Sequence, residues 1–392
     1  MTPVIGRREA VRLLAGGVAG LLAWPWLGAC GNGSEAESDG TASDDPAPPG
    51  PVLAAFDDSQ PAGPATGLPR RVAWANTSDS EDFLALGQGM EAAARDRDLE
   101  YLTAIANGDP ASNVEQMETF LARGVGGITV QPLDQTAQRP VMARALDRGV
   151  CVHGIITHPS TLQIAADQYR IGYLQGTGAA DHARAHLDGQ AQVHYFSSAA
   201  ISPQLALRRQ GVLDGLATGG DGVKVVSDVP PRDRSIEGGF ELMNDVLQAH
   251  PEIKIVLGSD TFLIGAYRAM EQAGRLADDM YFAGIDGDAA ALALIKEDGP
   301  YRASQAFAWR LMGYGLAWFT ADWIEGGQIP RIMVAESIVV DSPGAVDAFL
   351  ADNADPAPVF ADRQRYERYF PLLGNVGHAS RTTIWRKDFV PT

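Results

Sequence analysis

The chain has 392 residues, and at about 100–200 residues per globular domain this length predicts two lobes with tails. Hydrophobic residues make up 45% and charged residues 20%, which excludes disordered, collagen-like and polytopic membrane classes. A formal charge of -18 repels phosphate backbones and anionic headgroups, so nucleic-acid binding through a broad basic face is disfavoured.

Residues 1–29 place Arg7, Arg8 and Arg12 before an apolar run from Leu13 to Leu27, the layout of a secretory signal peptide. The run is shorter than the roughly 20 residues of a membrane-spanning helix. Leu27-Gly28-Ala29-Cys30 resembles the bacterial lipobox, which makes Cys30 the expected lipidated N-terminus. Arg7-Arg8 leaves export by Sec or by the twin-arginine route open. Residues 30–69 are rich in Gly, Ser, Asp and Pro and are expected to form a flexible tether. With Cys30 acylated, Cys151 has no disulfide partner, and its apolar surroundings predict a small buried hydrophobe.

From residue 70 strand and helix patterns alternate. Val72 to Ala75 reads as a strand, Phe83 to Arg97 as a helix, and Leu99 to Ile105 as the next strand. Asn107-Gly108-Asp109-Pro110 turns the chain into a helix that Gly124 closes. A strand at 127–130, a helix from Thr136 to Arg148 and a strand from Val150 to Ile156 follow. A second series has helices Tyr169 to Leu187, Gln204 to Ala217, Ile236 to Ala249 and Leu263 to Ala273. These alternate with strands Gln192 to Phe196, Val223 to Ser227, Lys254 to Leu257 and Met280 to Gly284. The strands are short, continuous apolar runs, as parallel sheets covered on both faces require. The predicted fold class is therefore α/β with two doubly wound parallel-sheet lobes, and ligands are expected beyond the carboxyl ends of the strands.

Seven motifs lie in order along this series: Asn107 to Pro110, Gly124-Val125 through Pro132-Leu133-Asp134, Ala166-Asp167-Gln168, Arg208-Arg209-Gln210-Gly211, Ala249-His250-Pro251, Ser259-Asp260 with Gly265-Ala266, and Gly284-Ile285-Asp286-Gly287. Together they resemble periplasmic sugar-binding proteins of the ribose-binding type, the receptors of ABC importers, over roughly residues 71–341. The resemblance implies a three-strand hinge between lobes at 70–167 with 308–336 and 168–307 with 337–353, leaving 354–392 as a C-terminal extension. It also implies an ABC permease as partner, a sugar or polyol-like ligand, no cofactor, and a place outside the cytoplasmic membrane, attached through a lipid anchor only.

Three residues match ligand-binding positions of that family: Arg208, Asp286 and Phe83. A guanidinium fork grips ring and hydroxyl oxygens, a carboxylate accepts two hydroxyl hydrogens, and a ring stacks on the apolar face of a sugar. The family's Asp-Arg pair falls at Ile156-Thr157, its strand-end Asn at Ser259 and its late Gln at Phe307, so a less hydroxylated or unusual ligand is implied. Asn76, Ser80, His158, Ser259, Gln305, Phe307 and Trp309 are further pocket candidates by position. A sensor subunit and, less favoured, a cleft enzyme acting on carbohydrate are the alternatives.

Enzyme signatures are weak. Gly87-Gln88-Gly89-Met90-Glu91-Ala92 has dinucleotide-loop spacing, but it lies inside a helix rather than in a strand-to-helix turn, and no acidic residue closes a second strand at the required distance. No GxSxG elbow, P-loop or HExxH is present. His182 and His186 share a helix face without a third ligand in view, so no metal site is predicted. The tail from Ala354 onward is basic and aromatic, and is expected to pack as an extra layer on one lobe.

Overall fold

The computed structural model describes residues 63–201 and 203–374. The expected signal peptide with Cys30, most of the expected tether and the last 18 residues lie outside the described residues. The first series runs β1 (Arg71–Asn76), α1 (Glu81–Asp96), β2 (Glu100–Ile105), α2 (Pro110–Arg123), β3 (Gly127–Val130), α3 (Gln135–Asp147), β4 (Cys151–Ile155) and β5 (Leu162–Ala165). The second runs α4 (Gln168–His186), β6 (Ala191–Phe196), α5 (Pro203–Ala217), β7 (Val223–Val229), α6 (Ile236–Ala249), β8 (Ile253–Leu257), α7 (Asp260–Gln272), β9 (Tyr281–Asp286), α8 (Ala289–Lys296) and β10 (Tyr301–Ala306). The chain then returns through α9 (Trp309–Ile324), β11 (Ile332–Val334), β12 (Ile338–Val340), α10 (Pro343–Ala354), α11 (Pro356–Ala361), α12 (Arg363–Glu367) and β13 (Leu372–Gly374).

Two sheets result. One has the order β13-β11-β5-β4-β3-β1-β2, and the other β12-β10-β9-β8-β6-β7. All pairings are parallel except β10 with β12 and β11 with β13. The chain crosses between the sheets four times: after β5, after β10, between β11 and β12, and after β12 on its way to β13. The Asn-Gly-Asp-Pro turn works as its residues predict. Asn107 and Gly108 take positive φ of 51° and 79°, and the Asp109 carboxylate caps α2 through the Ala111 and Ser112 N–H groups.

The glycines of the dinucleotide-like spacing serve helix packing. A Cβ on Gly89 would lie 1.9 Å from the Arg310 carbonyl oxygen of α9, and one on Gly313 1.9 Å from that of Leu86 in α1. The same close approach joins α4 to α5, where a Cβ on Gly172 would lie 2.0 Å from the Arg208 carbonyl oxygen. Bare backbone at these points lets paired helices touch directly, which sets where the first turns of α1 and α9, and Arg208 on α5, come to rest.

The tail to residue 374 packs on the first sheet's lobe. Tyr366, Tyr369 and Phe370 are buried, Phe360 stacks among Tyr314, Trp318 and Phe319 of α9, and β13 extends the sheet. Cys151 is fully buried beside His153, and burial holds its thiol protonated.

Candidate functional site

Carboxyl ends of strands from both sheets converge on one cavity of about 100 Å³, room for several water molecules. Gln131 and Pro132 follow β3, Ile156 follows β4, Ala166 follows β5, Ser198 follows β6, Ser259 follows β8, and Phe307 follows β10. Asp286 closes β9, while α1 contributes Asp82 and Phe83, α5 Leu205 and Arg208, and α9 Trp309 and Met312. Arg234, from the loop before α6, completes the polar side.

The second lobe supplies a fork and a carboxylate. Arg208 is held from behind by its Nε, which donates to Gln168 Oε1 at 2.7 Å, leaving the guanidinium tip for the cavity. Desolvation lowers its pKa, while the nearby Asp286 carboxylate resists that shift. Asp286 sits at a φ of 111°, a conformation L-residues rarely adopt. The surrounding bonds enforce it: its carbonyl oxygen accepts from the Phe307 N–H at 3.3 Å and the Trp309 indole at 3.2 Å.

Behind that turn the Asp260 carboxylate accepts four hydrogen bonds, from Tyr301 and Ser304 hydroxyls at 2.7 Å and from the Gly287 and Asp288 N–H groups at 2.7 and 3.0 Å. It anchors the backbone that presents Asp286. Burial raises the Asp286 carboxyl, and Arg208, Arg234 and Ser259 pull it back. Asp288 stands at the N-cap position of α8 without a side-chain capping bond, and burial with three neighbouring acids pushes it up to about 9, so it keeps its proton near neutral pH.

The first lobe supplies rings. Phe83 packs edge-on to Trp309 at 6.0 Å and to Trp74 at 6.4 Å, and Phe307 lies 5.4 Å from Trp309. Asp82 interrupts this apolar wall at 8% exposure. Burial, then the Asp286 charge, raises it to about 7, while Ser80 and Arg234 act the other way.

The structure brings Phe83, Arg208, Asp286, Ser259, Phe307 and Trp309 to this one cavity. Four position-based candidates lie elsewhere. Asn76 turns its side-chain oxygen to the Ser78 N–H, Ser80 bonds the Ser78 hydroxyl, His158 meets Arg139, and Gln305 accepts from Ser337. Asp82 and Arg234 were missed, and Gln168 entered only as part of the Ala166-Asp167-Gln168 motif. His182 and His186 stack at 4.6 Å, but His182 Nε2 is engaged by the Asp279 carbonyl, and no cluster of three metal-ligating side chains occurs among the described residues.

Comparison with known proteins agrees with this architecture. The family model described as "Periplasmic binding protein domain" matches residues 72–328. A D-ribose/D-allose-binding protein of Pseudomonas aeruginosa is 25% identical over 268 residues, 64% of this chain and 81% of that protein. A xylitol-binding protein of Mycolicibacterium smegmatis is 23% identical over 292 residues, 74% of this chain and 80% of its own length. A solved ABC transporter periplasmic solute binding protein from Actinobacillus succinogenes with bound D-allose superposes with a TM-score of 0.63 at 21% identity. That match covers 71% of this chain and 99% of the other, and shows the shared fold. Among the described residues no helix is long and apolar enough to cross a membrane. With the family match spanning more than half its length, the chain belongs to the periplasmic binding protein domain family.

Proposed function

We propose that the protein is the solute-binding receptor of an ABC importer, holding a small polyhydroxylated ligand between its lobes without chemical turnover. The observation that carries this reading is the convergence of Arg208 and Asp286 from the second lobe with Phe83 and Trp309 from the first on one cavity. Fork, carboxylate and ring faces are the three features that a polyol with an apolar face needs. The relatives named for D-ribose, D-allose and xylitol support the ligand class. The small cavity and the apolar residue Ile156 at its wall favour a compact ligand with few hydroxyl groups.

A thermal-shift screen of the purified protein against pentoses, hexoses and polyols, followed by calorimetry, tests the reading. A saturating one-to-one ligand is expected. Failure of every sugar and polyol to bind, or product formed at catalytic rates, overturns it.

Anchoring belongs to the same proposal. Cys30, after the lipobox-like Leu27-Gly28-Ala29, is the acylated first residue of the mature chain, and residues 31–69 hold the receptor off the membrane. Cys30→Ser is expected to move the protein into the soluble fraction. A variant that stays with the membranes points instead to an uncleaved signal anchor.

A further inference from the structure

The wall that the first lobe presents to the cavity is apolar except at Gln131 and Asp82. Gln131 has a buried side-chain oxygen with no hydrogen-bond partner among the described residues. Asp82 is more than nine-tenths buried; the Ser80 side chain and the Phe83 backbone hydrogen-bond it and Arg234 lies nearby, while the ion pairs of this region, Arg209 with Asp228 and Arg170 with Glu336, leave it out. A carboxylate in that setting is expensive to desolvate unless a cation or strong donors reach it. Its neighbour Glu81 already serves the positive end of α1 and accepts from the Ala289 N–H at 2.8 Å across the cleft. Asp82 shares that first turn, but its carboxyl also lines the cavity.

A second observation points the same way. An outer groove of about 460 Å³ shares Asp82, Asp286, Phe307 and Trp309 with the inner cavity. Its rim adds Glu81 and Asp288, and Arg310 is the one basic residue lining it among the described residues. Asp288 there keeps its proton, while the ionised carboxylates of such a low-dielectric passage concentrate cations.

We propose that Asp82 and Asp286, approaching from opposite lobes, select a compact polyol carrying a protonated amine, an amino sugar or amino alcohol, whose ammonium sits between the two carboxylates. Arg208 and Arg234 then take the ligand's oxygens, and Phe83 and Trp309 its apolar face. An ammonium replaces the repulsion between the two acids with attraction to both, which a neutral hydroxyl does only weakly. This deepens the receptor reading and rests on it.

The groups facing Asp82 are Asp286 and Asp288 from the β9–α8 turn, Arg234 from the loop before α6, and Glu81 beside it; Arg208 on α5 faces Asp286. Burial and the Asp286 charge hold part of the Asp82 population protonated near neutral pH. Binding a cation requires the ionised form. Affinity for an amine that stays protonated over this range, such as D-glucamine, is therefore expected to rise between about pH 6 and pH 8, with proton release.

The test compares matched probes by calorimetry: D-glucosamine with D-glucose, D-glucamine with D-glucitol, and an aminodeoxy-inositol with myo-inositol. At least one amine is expected to bind about tenfold or more tighter than its parent, a difference of about 1.4 kcal/mol. Asp82→Asn is expected to abolish that preference while still binding the parent polyol. Asp82→Glu, which keeps the charge, is expected to retain it, and circular-dichroism melts report whether each variant folds. Equal affinity for amine and parent, or a preference that survives in Asp82→Asn, overturns the proposal. Neutral polyols that bind in an Arg208-dependent way with no gain from the amine leave the receptor reading standing and sink only the ammonium site. No binding in either series sinks both.

Discussion

Arg208→Ala is expected to weaken ligand binding by about 10- to 150-fold, because a charge-assisted contact in a buried site contributes ~1.5–3 kcal/mol. Asp286→Asn is expected to lose a comparable amount. Asn tolerates the positive φ at this position, so the substitution removes charge without forcing the turn to refold. Calorimetry with the tightest ligand found in the screen measures both losses. Arg209→Ala, one residue along and paired with Asp228 on a more exposed face, serves as the control and should change affinity less than about twofold. Affinity unchanged in both Arg208→Ala and Asp286→Asn removes the second-lobe clamp from the account.

Gly89→Ala should destabilise the fold although alanine is the better helix former by ~1 kcal/mol. Its Cβ would meet the Arg310 carbonyl oxygen at 1.9 Å, and backbone has no rotamer by which to yield. Forcing α1 and α9 apart costs ~1–3 kcal/mol or more, read as a lower urea midpoint. Since α1 carries Phe83 and α9 begins at Trp309, ligand affinity should fall with stability. A midpoint equal to or above that of the parent protein means that the helices accommodate the methyl group and that their contact does not set the ring positions.

The alternating series was legible because parallel strands buried on both faces leave continuous apolar runs that periodicity finds directly. β1, β3, β6 and β8 are of this kind. β5 escaped notice because its four residues follow a short loop from β4 and contain Gln163, and β10 because Arg302, Ser304 and Gln305 interrupt its apolar pattern. At the cleft, Arg208, Asp286 and Phe83 were readable from motifs at strand ends. Asp82 and Arg234 were not, because their meaning depends on an approach between lobes that no local spacing encodes. Proximity in sequence misled in the other direction. Asn76 and Ser80 flank the right strand end, yet the loop between them uses both for its own hydrogen bonds through Ser78.

The placement of β13 has a mechanical consequence. The Glu336 N–H donates to the Tyr369 carbonyl at 2.9 Å, and Glu336 lies in the third crossing, between β11 and β12. The strand that enters this crossing carries β13 on its outer edge, and the Arg170 side chain grips Glu336 from the other lobe. That crossing is thus a splinted strut rather than a bare two-ended tether. Any rotation of one lobe against the other must either bend at the other crossings or peel the Tyr369 segment away. The same strand also occupies a sheet edge that would otherwise offer unpaired N–H and C=O groups to a neighbouring molecule, so one short segment both stiffens the pivot and guards the edge.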